Sequence, residues 1–437
     1  MFRLFKDRNF VVFWFGEMVS VIGDHISLIA FPWLVLQMTN SAALTGLVFA
    51  VQGIPRAALM LAGGAMVDRT SPRLVMMISN ALRFFLVMFV AYMISQDTVD
   101  LTSVFLMAFT FGVADAFFYP ASTSIIPRLV SHDQLQAGNA IVQTTLHLGM
   151  TVGPVIAGLI IAGEVNSIHH QADSAAVSAT AINSYEQDRE GLARAFFVDG
   201  LTFALSFITL LFVKVWGLNE DEKPVAGTSV YSEIREAALW VWSIPAVRLG
   251  FVGMAVIHFF FMPMIFVGLP VWAKERFFEG AYVYGLVTAS FGLGAFIGAI
   301  ASGFLAGPKD ENLVPTMFKL YVFSGSTLAL IIFYDPYWWA MLLFFITGVF
   351  ESFLYVHFTT WLQRITPAAL LGRVMSILML MSMGLLPIAD AIMGFAIDWS
   401  LEATMIGSAA FLMLFCGLIA AHPLSRVVTA RVSAAQR

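Results

Sequence analysis

Five carboxylate and guanidinium side chains stand inside the first four runs of sequence apolar enough to cross a bilayer. Glu17 and Asp24 share the run 10–37 with His25, Arg56 lies in 43–67, Arg83 in 74–95 and Asp115 in 101–125. On a helix Glu17 and Asp24 fall about 20° apart around the axis and two turns apart in depth, so they share one face. A charge at mid-membrane costs about 3 kcal/mol even on lenient insertion scales, and that face therefore needs partners or water. At about 1.5 Å per residue from the cytoplasmic ends, Glu17 is about 12 Å deep, Asp24 about 22 Å, Arg56 about 18 Å, and Arg83 and Asp115 about 15 Å. Two guanidiniums can neutralise two carboxylates, which leaves one acid over, able to load and release a proton. Asp24 is the first candidate for such proton coupling, followed by Glu17 and Asp115, with Arg56 and Arg83 as their charge partners. The same five groups would also suit a fixed structural network or a hydrated cavity without proton traffic.

The second half of the chain has a different inventory. His258 lies in 248–272, Glu351 and His357 in 337–362, and Asp390 in 374–397, with no arginine at mid-depth. Glu351 reads either as a further proton-linked group or as a neutral hydrogen-bond donor to a neighbouring helix. His258 and His147 fit packing positions as well as pocket positions. A pocket for a large amphipathic solute would draw on adaptable methionine and aromatic surface, here Phe261, Met262 and Phe350, with His25, His258 and His357 as polar contacts.

These residues need a membrane scaffold to position them, and the composition supplies one. The chain has 437 residues, 59% hydrophobic and only 12% charged, well outside the balance of soluble domains. Twelve apolar runs of spanning length occur at 10–37, 43–67, 74–95, 101–125, 137–163, 195–216, 248–272, 282–306, 313–333, 337–362, 374–397 and 402–422. The first is too long, and lacks the small-residue cleavage site, for a removed signal segment. With the N-terminus in the cytoplasm, only Arg189, Arg194, Lys274 and Arg276 fall outside, so both termini are expected to be cytoplasmic.

The predicted fold is an all-α membrane protein whose twelve transmembrane helices form two six-helix bundles, 1–216 and 246–437. A cytoplasmic linker, 217–245, ends in an amphipathic stretch, and an extracytoplasmic insert occupies 164–194. His169 and His170 in that insert lack further spaced ligands, so no metal site is expected. Glycines at close spacing in the fifth run (Gly149, Gly153, Gly158, beside Pro154) and in the eighth (Gly285, Gly292, Gly294, Gly298, Gly303) suit tight helix packing, or surfaces on which one bundle rocks against the other. A lone cysteine, Cys416, excludes an internal disulfide, and the net charge of -5 gives no basis for a nucleic-acid partner. The chain has no P-loop, HExxH or GxSxG motif, so neither ATP-driven pumping nor common hydrolase chemistry is expected, and no cofactor.

After the second run comes GGAMVDRTSPR, with Gly64, Asp68, Arg69 and Arg73. This resembles the cytoplasmic signature of the major facilitator superfamily, in which the aspartate helps latch the two halves. The run from Gly149 to Gly158 is similar to that superfamily's antiporter motif. FWFGEMVSVIGDHISLIAFPWLV, FGVADAFFYPASTSIIPRLV and LQRITPAALLGRVMSILMLMSMGLLP resemble the drug:proton antiporter branch that includes macrolide efflux and enterobactin export proteins. The chain departs from that branch at Glu17, where glutamine is frequent, at Arg56, and in its longer outer insert. The resemblance implies alternating access, with substrate bound at mid-membrane between the bundles.

The expected function is a proton-coupled exporter of an amphipathic small molecule, a hydrophobic drug such as a macrolide, or a siderophore. The expected setting is a monomer in the bacterial inner membrane, with substrate, protons and lipid as its partners. Lysophospholipid movement by the same fold is the alternative, and a non-transporting sensor or scaffold a lesser one.

Overall fold

In the computed structural model of the chain, the described residues are 4–131, 134–163, 177–215, 230–334, 336–367 and 370–426. His169, His170 and the first part of the expected outer insert lie outside them, as do residues 216–229 of the expected linker, the surroundings of Gly64 and the side chains of Asp68 and Arg69.

A spanning segment in hydrocarbon must satisfy every backbone N–H and C=O within itself, so these apolar runs fold as helices. In chain order they are α1 Arg8–Thr39, α2 Ala42–Arg69, α3 Pro72–Ser95, α4 Leu101–Ile125, α5 Leu135–Ala162, α6 Val177–Phe212, α7 Val230–Ser243, α8 Pro245–Phe260, α9 Leu269–Arg276, α10 Gly280–Phe304, α11 Asp310–Phe333, α12 Tyr337–Ile365, α13 Leu371–Met379, α14 Leu386–Trp399 and α15 Leu401–Ala421. Among the described residues they provide twelve spans long and apolar enough to cross a membrane.

Polar side chains start several of these helices. Asp7 accepts from the Asn9 and Phe10 amides, Ser41 from Leu44 and Ser400 from Ala403. Asp100 accepts from both the amide and the hydroxyl of Ser103, and these hydrogen bonds hold its carboxyl below the usual carboxylate range.

Two spans are interrupted, and proline accounts for each. The seventh, Pro245–Arg276, contains α8, a π-turn at Met264–Gly268 and α9. The eleventh, Arg373–Trp399, contains all but the first two residues of α13, a π-turn at Leu380–Gly384 and α14. Pro263 and Pro270 flank the first π-turn and Pro387 stands just after the second. Each ring lacks the N–H of a regular turn and crowds the carbonyl four residues back, which loosens the helix there.

Backbone contacts divide the chain into two compact units, one of 1–220 with 269–289, the other of 221–268 with 290–437. In the first, α2 packs on α4 and α1 on α5 and α6, while α3 also lies on α6. The close approach of α2 and α4 needs bare backbone: a Cβ on Gly112 would meet the Gln52 carbonyl, and one on Gly63 the Ala116 carbonyl. In the second unit, α11 packs on α15 and α12, and the Thr327 and Thr347 hydroxyls pair at 3.1 Å. Gly294 and Gly298 let α10 lie against the α12 backbone at Phe345 and Val349.

Candidate functional site

The first unit is organised around a stripe of small residues on α1: Gly16, Ser20, Gly23 and Ser27, one helical face. Gly16 abuts Thr209 and Ser206 of α6, and Gly23 abuts Thr202 and Asp199. That approach brings α6 close enough for Ser27 to donate to the Asp199 carboxylate. From α3, Asn80 donates to Ser206 at 2.9 Å, and one turn further along Arg83 enters the interior.

Arg83 is 1% exposed. Aromatic rings surround its guanidinium, with the carbon 4.2 Å from the Phe118 ring centre, 5.3 Å from Phe111 and 5.5 Å from Phe203. Its Nη2 pairs closely with Asp115 of α4, and its Nη1 lies 3.8 Å from Oδ1 of Asp24. Arg56 of α2 reaches the other Asp115 oxygen at 3.9 Å, and its guanidinium lies 6.0 Å from the Tyr119 ring.

Burial divides the cluster. Arg83 and Asp115 are enclosed, whereas the side chains of Asp24 and Arg56 are 31% and 28% exposed. Asp24 is thus the more accessible carboxylate of the cluster, held by one longer contact to a guanidinium already committed to Asp115. At an effective dielectric of about 20 that 3.8 Å contact is worth about 4 kcal/mol before solvent screening on its open side. Glu17, two turns away on α1, is buried, and among the described residues its Oε2 has no hydrogen-bond partner.

The glycines of the fifth run serve α1 as well. A Cβ on Gly149 or Gly153 would collide with Val21 or His25, so these positions make room for the His25 ring, whose Nδ1 lies 2.8 Å from the Val21 carbonyl. Gly158 and Pro154 face the start of α10 at Ala281, Tyr282 and Gly285. In the segment that follows the second run, Arg73 donates from Nε to the Leu210 carbonyl at 2.7 Å and from Nη2 to the Leu211 carbonyl at 2.8 Å. It thereby satisfies the open C-terminal end of α6.

The candidates of the second unit are dispersed. His258 Nδ1 lies 2.8 Å from the Met254 carbonyl. Phe261 is fully buried and stacked on Phe344, Met262 is half-buried, and Phe350 stands edge-on to Phe323. His357 packs against Phe353 and Gly307. Glu351 is half-buried with its Oε2 unpartnered among the described residues, and Asp390 is 2% exposed. Among the described residues no hydrogen bond or ion pair joins His258, Glu351 and His357 to one another, and no group of three His, Cys, Asp or Glu side chains forms a metal-binding set.

Sequence reading missed Asp199. It is fully buried and belongs to the same interior as Asp24 and Arg83. The available signal was an acid beside Gly200 within an apolar run, facing the small stripe of α1.

The Major Facilitator Superfamily model matches residues 13–389. The chain belongs to this superfamily. Among curated relatives it is similar to the multidrug efflux pump Tap of Mycolicibacterium fortuitum, 25% identical over 83% of each chain. It is also similar to the pump of the same name from Mycobacterium tuberculosis H37Rv, 24% identical over 83% of this chain and 81% of the relative. Solved transporter structures share the fold. A bacterial homologue of the iron transporter ferroportin, in an inward-facing state, has a TM-score of 0.67 at 14% identity over 95% of this chain and 99% of that one. The nucleoside transporter NupG has a TM-score of 0.66 at 12% identity over 94% and 98%. This chain is a multi-pass membrane transporter of the superfamily, not an enzyme.

Proposed function

We propose that this transporter is a proton-driven exporter of amphipathic small molecules, drugs among them, and that Asp24, Arg83 and Asp115 form its coupling site. The observation that carries the reading is the uneven hold on Asp24: a partly exposed acid at the rim of the cluster, sharing one buried guanidinium with an enclosed acid. Protonating Asp24 from outside frees Arg83 to pair with Asp115 alone; releasing that proton inside restores the shared arrangement. A switch of this kind gives the two states different electrostatics, which is what biases a conformational equilibrium. Glu17 and Glu351 are auxiliary acids, and His25, His258, Phe261, Met262, Phe350 and His357 contribute to substrate contact.

Export of drugs draws support from the similarity to the Tap pumps along most of the chain. The reading places the protein as a monomer in a bacterial inner membrane with both termini cytoplasmic, and residues 1–216 and 246–437 as the halves of an alternating-access cycle. Gly64, Asp68, Arg69 and Arg73 form the cytoplasmic gate in this scheme.

The test is flux in liposomes under an imposed pH gradient, wild type beside Asp24→Asn, with a macrolide, a cationic dye, a catecholate siderophore and a lysophospholipid as probes. Gradient-driven flux of one class, lost in Asp24→Asn, is the expected result. Flux of any probe with unaltered gradient dependence in the variant overturns the assignment of Asp24.

A further inference from the structure

Of the buried acids that the coupling reading does not use, Asp199 on α6 is the one beside the Asp24–Arg83–Asp115 cluster. It is fully buried, yet among the described residues no Lys, Arg or His lies within ion-pair distance of it. Its hydrogen-bond partners are hydroxyls. Ser27 of α1 donates to Oδ2, and Thr202 Oγ1 lies 3.2 Å from Oδ1. The Thr202 hydrogen is already given to the main-chain carbonyl of Asp199 at 2.7 Å, which leaves Ser27 as the one full donor to the carboxyl group.

This donor set is informative. A buried carboxylate that stays charged is normally held by a cation or several N–H donors, which cannot reverse their role. A hydroxyl can donate to a carboxylate or accept from a carboxylic acid, so the Ser27–Asp199 pair is satisfied in either protonation state. Charged groups act on Asp199 from the elements around it: Arg83 from α3 and Asp115 from α4, while Asp24 on α1 feels Asp199 in return and lies between Glu17 and Ser27 on the same helix. The titratable side chain of α5 is His147. Asp24, Asp115 and Asp199 thus share the electrostatic field of a single buried guanidinium, and each change of charge at one is felt by the others.

We propose that Asp199 is a second proton-carrying group of this transporter, linked to Asp24 through the field of Arg83. Loading it forms an O–H bond at Oδ2 as a hydronium ion gives up the proton and becomes water, and the Ser27 hydroxyl turns from donor to acceptor. The inference rests on the reading of this cluster as the coupling site.

The test is the infrared difference spectrum between high and low pH of the full-length protein in lipid, for wild type, Asp24→Asn, Asp199→Asn and Ser27→Ala. A carboxyl group that titrates gives a C=O band that its amide variant lacks. Asp199→Asn is expected to remove one such band and to leave another that Asp24→Asn removes, with one proton fewer taken up per molecule in each variant. Ser27→Ala is expected to keep the Asp199 band and move it to higher frequency, because the carboxyl group loses its hydroxyl partner.

If folded Asp199→Asn retains every wild-type carboxyl band while Asp24→Asn loses one, this proposal falls and the coupling reading stands. If Asp199→Asn loses a band and Asp24→Asn does not, Asp199 is a proton carrier and the Asp24 assignment falls. Should Asp199→Asn fail to fold, Ser27→Ala decides: an unchanged spectrum overturns the proposal.

Discussion

Replacing Arg83 with methionine removes the one guanidinium that is both enclosed and shared between Asp24 and Asp115. Methionine fits the sleeve of Phe111, Phe118 and Phe203, because its flexible thioether packs well against aromatic rings, so the perturbation is electrostatic rather than steric. Breaking a buried ion pair from one side costs about 3–5 kcal/mol, most of it from the charge left behind. Here that charge is Asp115, enclosed in α4 with only Arg56, 3.9 Å away, to compensate it. Asp24 loses less, since its exposed side can recruit water. We therefore expect Arg83→Met to destabilise the protein by about 3–5 kcal/mol, a factor of about a hundred to several thousand in the folding constant.

Asp115→Asn alone should cost less, because Arg83 retains Asp24 at 3.8 Å. The double variant should recover at least half of the Arg83→Met loss, giving a coupling energy of about 2–3 kcal/mol, the upper part of the range for residues in direct contact. Unfolding in mixed micelles as the denaturing detergent fraction rises, run on the four proteins of the cycle, measures all the terms. An Arg83→Met protein within about 1 kcal/mol of wild type, or effects that add to within about 0.5 kcal/mol, would show that the pair does not hold the interior together, and the argument for a shared guanidinium would fail.

The remaining expectations concern single positions. Glu17→Gln should leave the unfolding midpoint within about 0.5 kcal/mol of wild type, since Oε2 has no partner to lose, while weakening the dependence of flux on the pH gradient; a large stability loss would mean that Glu17 is structural. Gly112→Val should cost about 1–3 kcal/mol or more by driving a side chain into the Gln52 carbonyl, whereas Gly303→Ala, where nothing lies within 4 Å, should stabilise by about 0.5–1 kcal/mol; equal effects would refute the packing argument. Arg73→Ala should cost about 1–2 kcal/mol by uncapping α6, and Arg73→Lys should recover less than half of it, because an ammonium cannot reproduce the two-carbonyl fork; full rescue by lysine would point to charge alone.

Depth along a span is legible in sequence because the rise per residue is fixed, and this is why Asp24, Arg56, Arg83 and Asp115 can be assigned to one level before any coordinates exist. Rotation and neighbour choice are not legible in the same way. Which acid Arg83 grips, and that Arg56 also turns to Asp115, depends on how α2, α3 and α4 cross, and the α2–α4 crossing is set by bare backbone at Gly63 and Gly112. The interruptions of the seventh and eleventh spans had their signal in Pro263, Pro270 and Pro387, which an apolar-run count passes over because hydropathy does not register a missing N–H.

Asp199 shows the deeper limit. Counted from the cytoplasmic end of its run, it falls near the outer boundary, where an acid is unremarkable. The stripe Gly16, Ser20, Gly23 and Ser27 is what makes it central: a small face admits a neighbouring backbone, and an acid on that neighbour then lies in the interior, beside whatever hydroxyl the stripe supplies. The informative unit in such a sequence is the pair of faces, one small and one carrying a polar group at matching spacing. An isolated charge reports only that a partner is needed; the small stripe on another helix indicates where that partner stands.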